Sequence, residues 1–168
     1  MIELYEGVPG SGKSYHAICE KFLPWVKQGR RLYIAVDGIY LDRLSLFTGI
    51  DLETLEQQIT IWKDSVEVLQ AFPHVEPGSA VIIDEAQTVF RSMQKVEPRL
   101  LRWLETHRHY GVDILLMSQD FRQMSQGVTR LIEATVKFRK LAFVGLSKKY
   151  QGKVRGNPED NEVIRAFV

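Results

Sequence analysis

Eight residues near the start of the chain constrain its folding more than any other segment: Gly7-Val8-Pro9-Gly10-Ser11-Gly12-Lys13-Ser14. They satisfy G-x-x-x-x-G-K-[ST], the pattern of a phosphate-binding loop. Their context also fits. A short apolar run, residues 2–6, leads into the glycines, and residues 13–28 read as a helix with Ala17, Ile18, Phe22, Trp25 and Val26 near a 3-4-3 spacing. Each part meets a physical need. Glycines let the backbone fold round phosphates with its N–H groups turned inward. The helix N-terminus adds a dipole that favours negative charge. Lys13 is placed to reach the β- and γ-phosphates, and Ser14 offers a hydroxyl to Mg²⁺. The expected nucleotide site is Gly7, Val8, Pro9, Gly10, Ser11, Gly12, Lys13 and Ser14, with Tyr15 next to it.

Beyond the loop, apolar runs alternate with amphipathic segments. Residues 32–36, 80–83, 112–117 and 135–144 read as four further strands. Asp51 caps an expected helix over 52–59. Pro98 opens another over 99–109, which Gly111 closes, and 127–133 is a short one. Pro24 falls inside the first helix, where it should kink or loosen the last turn before Gly29. Strands separated by helices predict βα units and a parallel sheet. The strands are short apolar runs more than clean alternations, as burial on both faces produces, although in 135–144 Lys137 and Arg139 alternate with the apolar residues.

A length of 168 residues suits one ordinary domain, 1–168. A net charge of +1 is not that of a protein that coats DNA. Cys19 has no second cysteine to pair with, which fits a reducing compartment. No apolar run nears the ~20 residues of a membrane span, and the N-terminus lacks the features of a signal peptide. Charge is uneven, however. Residues 134–158 hold Lys137, Arg139, Lys140, Lys148, Lys149, Lys153 and Arg155 and no acid. This reads as a solvated edge strand and hairpin, or as a docking surface for nucleic acid or membrane headgroups.

Two more strand ends carry chemistry. Ala80-Val81-Ile82-Ile83-Asp84-Glu85 closes an apolar run with two acids. At the carboxyl end of a parallel strand these face the ligand crevice. Asp84 is then the residue that orients the hydration shell of Mg²⁺, and Glu85 the general base on the attacking water. A glutamate beside the metal-site aspartate points to the catalytic-glutamate division of P-loop NTPases. There the strand ending in Met117-Ser118-Gln119 lies between the phosphate-loop strand and the Asp84 strand. The expected order is therefore 5-1-4-3-2, with helices on both faces. Ser118 or Gln119 would face the γ-phosphate, and Gln119 is favoured because its amide both donates and accepts. His107 and His109 stand two apart on a helix and share no face. His16, Cys19 and the three tryptophans read as packing residues.

The run Leu104-Glu105-Thr106-His107-Arg108-His109-Tyr110-Gly111-Val112-Asp113-Ile114, with the early phosphate loop and the apolar-Asp-Glu-Ala strand, resembles the zonular occludens toxin (Zot) family. That family includes the filamentous-phage assembly ATPases and by motif is close to DNA-pumping ATPases of the HerA–FtsK type. The resemblance covers roughly residues 1–135. It implies ATP and Mg²⁺ as ligands and a phage- or prophage-encoded cytoplasmic domain at the inner membrane of a bacterial host. Implied partners are phage assembly proteins, single-stranded phage DNA and further copies of the chain. It also implies a membrane span following the basic segment 134–158, beyond Val168. Phosphoryl transfer in such enzymes commonly uses an arginine finger. Arg130 is the leading candidate, acting across subunits, ahead of Arg122, with Arg108 expected near the opposite end of the sheet. The rival readings are a small-molecule or nucleotide kinase and a non-hydrolysing nucleotide-dependent module.

Overall fold

The computed structural model describes residues 1–141 and 149–168. Eight strands form one sheet: β1 (Ile2–Glu6), β2 (Leu32–Ala35), β3 (Ile59–Ile61), β4 (Ala80–Ile83), β5 (Asp113–Ser118), β6 (Ala134–Lys140), β7 (Tyr150–Arg155) and β8 (Arg165–Phe167). Their order is β3-β2-β4-β5-β1-β6-β7-β8. The first six are parallel, and β7 and β8 add antiparallel at one end. The five strands expected from the sequence are β1, β2, β4, β5 and β6, and their 5-1-4-3-2 order is present within the larger sheet.

Helices cover both faces. On one face α1 (Lys13–Ala17), α2 (Leu23–Lys27), α3 (Leu41–Thr48) and α4 (Leu52–Gln58) bury Ala17, Val26, Leu44 and Leu55 against Leu32, Ile34, Ile82 and Leu115. On the other, α5 (Ser65–Ala71), α6 (Ala86–Val89), α7 (Pro98–Thr106) and α8 (Gln126–Thr129) bury Val68, Val89, Leu100 and Val128 against Leu4, Val81, Ile83 and Ile114. The alternation of the two lists along each strand is the period-2 pleat, with both faces apolar.

The first helix breaks earlier than Pro24 alone suggested. Residues Ile18–Phe22 form a π-helical turn, and the Leu23 N–H donates to the Ile18 carbonyl five residues back. Pro24 follows as the second residue of α2, so the wider π turn lies immediately before the residue that cannot donate an N–H. Residue 59, expected to end a helix, instead begins β3, since the β-branched Ile59-Thr60-Ile61 is too short to declare a period. The 99–109 segment is α7 followed by a 3₁₀ turn over His107–Tyr110, and the 127–133 segment is helical only as α8. The fifth expected strand ends at Lys140, and its residues 142–144, like Lys148, lie outside the described residues. No helix among the described residues is long and apolar enough to cross a membrane.

Candidate functional site

Strand register decides which side chains meet. Glu6 of β1 stands beside Ser118 of β5, and Leu116 of β5 beside Ile83 of β4. The chain therefore leaves three adjacent strands at one edge, as the phosphate loop, as Asp84-Glu85 and as Gln119. The loop is tied to its neighbour by Gly7 N–H donating to the Ser118 carbonyl at 3.1 Å.

Within the loop Gly10 and Gly12 take left-handed φ of 71° and 100°. Lys13 is buried, and its Nζ donates to the Gly7 carbonyl at 2.7 Å and the Val8 carbonyl at 3.5 Å. The ammonium is held over the loop's own oxygens at the mouth a phosphate would fill. The Ser11 hydroxyl is buried there with no partner. An orphaned buried hydroxyl in a glycine-rich loop beside a buried lysine fits an anionic guest. Ser14 Oγ donates to Asp84 Oδ2 at 3.3 Å, so the two expected metal-site oxygens are neighbours. Burial raises the Asp84 carboxyl above its ordinary range, and the Glu85 charge adds to this. The Glu85 N–H (2.8 Å to Oδ1), Lys13 and Ser14 pull the other way without cancelling it. A carboxylate so desolvated gains from a nearby cation, which fits Mg²⁺ at Ser14 and Asp84.

Glu85 is the one non-glycine residue with positive φ among the described residues, at φ 48° and ψ 44°. Such backbones persist where surrounding structure holds them, and they concentrate at functional sites. Here Thr88 N–H and Oγ1 donate to the Glu85 carbonyl at 2.7 and 2.9 Å. The carboxylate accepts from Gln119 Nε2 at 3.3 and 3.4 Å and from the Gln87 amide. Asp84 and Glu85 border a cleft of about 290 Å³ walled by Asp37, Lys63 and Asp64. Lys13, Ser14, Asp84, Glu85 and Gln119 thus form one constellation at one sheet edge.

The arginines divide. Arg122 follows Gln119 on the same edge, and Asp120 holds it, with Nε and Nη2 donating to the carboxylate at 2.6–3.0 Å. Arg130 lies at the end of α8, three residues before Glu133, whose N–H donates to the Ile2 carbonyl. That is the edge where strands begin, so Arg130 does not join the constellation of its own chain. Arg108 is also at that edge, ion-paired with Glu133. Tyr15 is exposed and borders an open cleft of about 370 Å³ with Ile18, Tyr40 and Phe47.

Three residues near the site were not singled out from the sequence. Gln87 had a signal, being two places from Glu85. Glu6 had a weak one, as an acid closing an apolar strand. Its side chain is only 7% exposed and pairs with Lys137 at 3.4 Å. Tyr150 had none. A Cβ on Gly12 would stand 2.7 Å from the Tyr150 ring, whose hydroxyl is 3.2 Å from His16 Nδ1. His16 stacks on Phe167 of β8 with centroids 4.8 Å apart. The terminal strands therefore brace the helix that carries the phosphate loop.

The family model for "Zonular occludens toxin (Zot)" matches residues 1–165. The chain belongs to the Zot family. Among curated relatives, the Gene 1 protein of Xanthomonas phage phiLf is 27% identical over 164 residues, covering 90% of this chain and 37% of that protein. The chain thus spans well under half of that relative. The N-terminal domain of zonular occludens toxin from Neisseria meningitidis superposes with a TM-score of 0.62 at 21% identity, over 95% of this chain and 85% of that one. The genome packaging NTPase B204 of Sulfolobus turreted icosahedral virus 2, solved with AMPPCP, gives 0.63 at 17% identity over 98% and 96%. At such identities the solved structures establish the fold, that of a P-loop NTPase. The run His107-Arg108-His109 through Asp113, on which the sequence resemblance leaned, lies at the edge away from the phosphate loop. His107 Nδ1 is 2.6 Å from the Leu104 carbonyl, Arg108 pairs with Glu133, and Asp113 pairs with Arg30 and the Met1 amino group. These contacts tie the sheet's far edge together.

Proposed function

We propose that the chain binds ATP with Mg²⁺ and hydrolyses it, driving assembly and extrusion of filamentous phage at the inner membrane of a bacterial host. The observation that carries this reading is the convergence of the phosphate loop, Ser14–Asp84 and Glu85–Gln119 on one strand edge. The loop amides and Lys13 would receive the β- and γ-phosphates, the Nζ exchanging the Gly7 carbonyl for phosphate oxygen. Ser14 and Asp84 would hold Mg²⁺, which when bound neutralises charge developing on the phosphates. Glu85 accepts a proton from water, and its two glutamine amides fix the carboxylate's direction. Gln119 follows β5, which lies between the strand ending in Asp84-Glu85 and the phosphate-loop strand, so its amide can also contact the water or the γ-phosphate. The phage source of the phiLf relative and the fold shared with a genome packaging NTPase support the setting. Completion of the site by a second subunit and attachment to the membrane belong to the same proposal.

Phosphate release from Mg-ATP without an added acceptor tests the reading. The parent should release phosphate. Glu85→Gln should retain ATP binding and lose hydrolysis by at least ~100-fold, the contribution of a positioned base. Release only with an acceptor would indicate a kinase, and binding without release an interaction module.

A further inference from the structure

The strands that brace the loop have a second face. Along β7, Tyr150, Gly152 and Val154 alternate with Gln151, Lys153 and Arg155. Tyr150 and Val154 pack with Val136 and Phe138 in the core beside the nucleotide helix. The other set opens on a cleft of about 530 Å³ that shares Gly7, Val8 and Gln119 with the edge of the phosphate site. Six cations line this cleft: Arg122, Lys137, Arg139, Lys140, Lys153 and Arg155. Against them stand two acids, Glu6 and Asp120, so the formal surplus is four positive charges.

The placement of two lysines is the telling feature. Lys137 of β6 and Lys153 of β7 are direct cross-strand partners. Like charges in that position destabilise a sheet unless an anion lies between them. Glu6 reaches Lys137, and Asp120 is taken by Arg122. Lys137 and Arg139 are two residues apart on one strand, a spacing of about 6.8 Å. That matches the repeat of phosphates along an extended polynucleotide. The cations line a cleft and not a flat face, which suits a chain of phosphates better than a bilayer surface.

We propose that this cleft holds single-stranded nucleic acid by its phosphodiester backbone, independent of base sequence. The inference rests on the ATPase reading for its purpose, since it names what such a motor would grip. A physical link to that site is present. Glu6 immediately precedes Gly7, so a phosphate competing for Lys137 would loosen a contact one residue from the phosphate loop.

The test is fluorescence anisotropy of a labelled oligothymidylate with the whole chain, over a salt series and without nucleotide, so that failure of hydrolysis leaves it intact. The parent should bind with a steep salt dependence. Lys140→Glu with Lys153→Glu should weaken binding at least tenfold and flatten the slope of log K against log salt by about 1.4, near 0.7 per lost phosphate contact. Lys27→Glu with Lys95→Glu makes the same change in net charge elsewhere and should leave affinity within about threefold. The melting temperature of the cleft variant should not fall, because Lys137 gains a carboxylate opposite it. Should the double reversal misfold, Lys153→Gln alone must still flatten the slope by about 0.7. Equal loss in both double variants, or no loss in either, overturns the proposal. So does absence of binding, capture of phosphatidylserine vesicles in place of the oligonucleotide, or its displacement by ATP as by a competitor for the same cations.

Discussion

Gly12→Ala separates the demands of the phosphate loop from those of the strands that brace it. Gly12 has φ 100° and ψ 1°, where an L side chain costs roughly 1–2 kcal/mol. Its added Cβ would also stand 2.7 Å from two carbons of the Tyr150 ring. That ring cannot simply swing away, since its hydroxyl meets His16 and its face packs near Phe138, with centroids 5.7 Å apart. Forcing a methyl into a packed contact adds about 1–3 kcal/mol. The expected total is about 2–5 kcal/mol. Gly10→Ala is the internal control. Its φ is 71° but its Cβ would meet nothing within 4 Å, so only the backbone cost of roughly 1–2 kcal/mol remains. Urea denaturation followed by tryptophan fluorescence measures both. In a Tyr150→Ala background the cost of Gly12→Ala should drop to that of Gly10→Ala, a coupling of about 1–3 kcal/mol in a double-mutant cycle. Equal costs for the two glycines in the parent, or no relief in the Tyr150→Ala background, would refute the bracing contact.

Lys13→Ala should abolish or nearly abolish ATP binding by calorimetry, and parent-like affinity would remove the loop from the site. Asp113→Asn should lower stability at neutral pH by about 1 kcal/mol or less, as partly exposed pairs do. Burial raises the Asp113 carboxyl, but hydrogen bonds from the Met1 amino group and Arg30 outweigh it and hold it below its ordinary value. The contribution is therefore present above the ordinary value of 3.8 and fades as pH falls through the depressed one, so the two melting curves should converge in acid. A gap that widened in acid would reverse the sign. Lys13→Ala and Arg130→Ala proteins, each inactive alone, should partly restore hydrolysis when mixed if the finger acts across subunits. Mixtures that assemble yet stay inactive would count against Arg130, and the same experiment with Arg122→Ala then decides the trans mechanism.

Much of this protein is local, and local features can be read in one dimension. The phosphate loop needs its glycines and Lys13 within eight consecutive residues, because one strand–turn–helix makes the whole cradle. β2, β4 and β5 declare themselves as apolar runs because each is buried on both faces, whereas β6 alternates, with Lys137 and Arg139 exposed and Val136 and Phe138 buried. Asp84, Glu85 and Gln119 were legible as strand ends, since parallel strands deliver their carboxyl ends to one edge. The sequence could not say what lies opposite a residue. β3 is too short to show a period, and β7 and β8 pair antiparallel where the helical crossovers stop. Only register sets Lys137 against Lys153 and Glu6 beside Lys137. Only folding brings Tyr150 onto Gly12 across 138 positions of chain. The run from His107 to Asp113 carried the family resemblance in the sequence, yet Arg108 and Asp113 are spent on Glu133 and Arg30 at the edge away from the phosphate loop. A motif reports which residues recur together. Which of them face a ligand and which hold strands in register depends on pairings between distant segments, and those exist only once the sheet has formed.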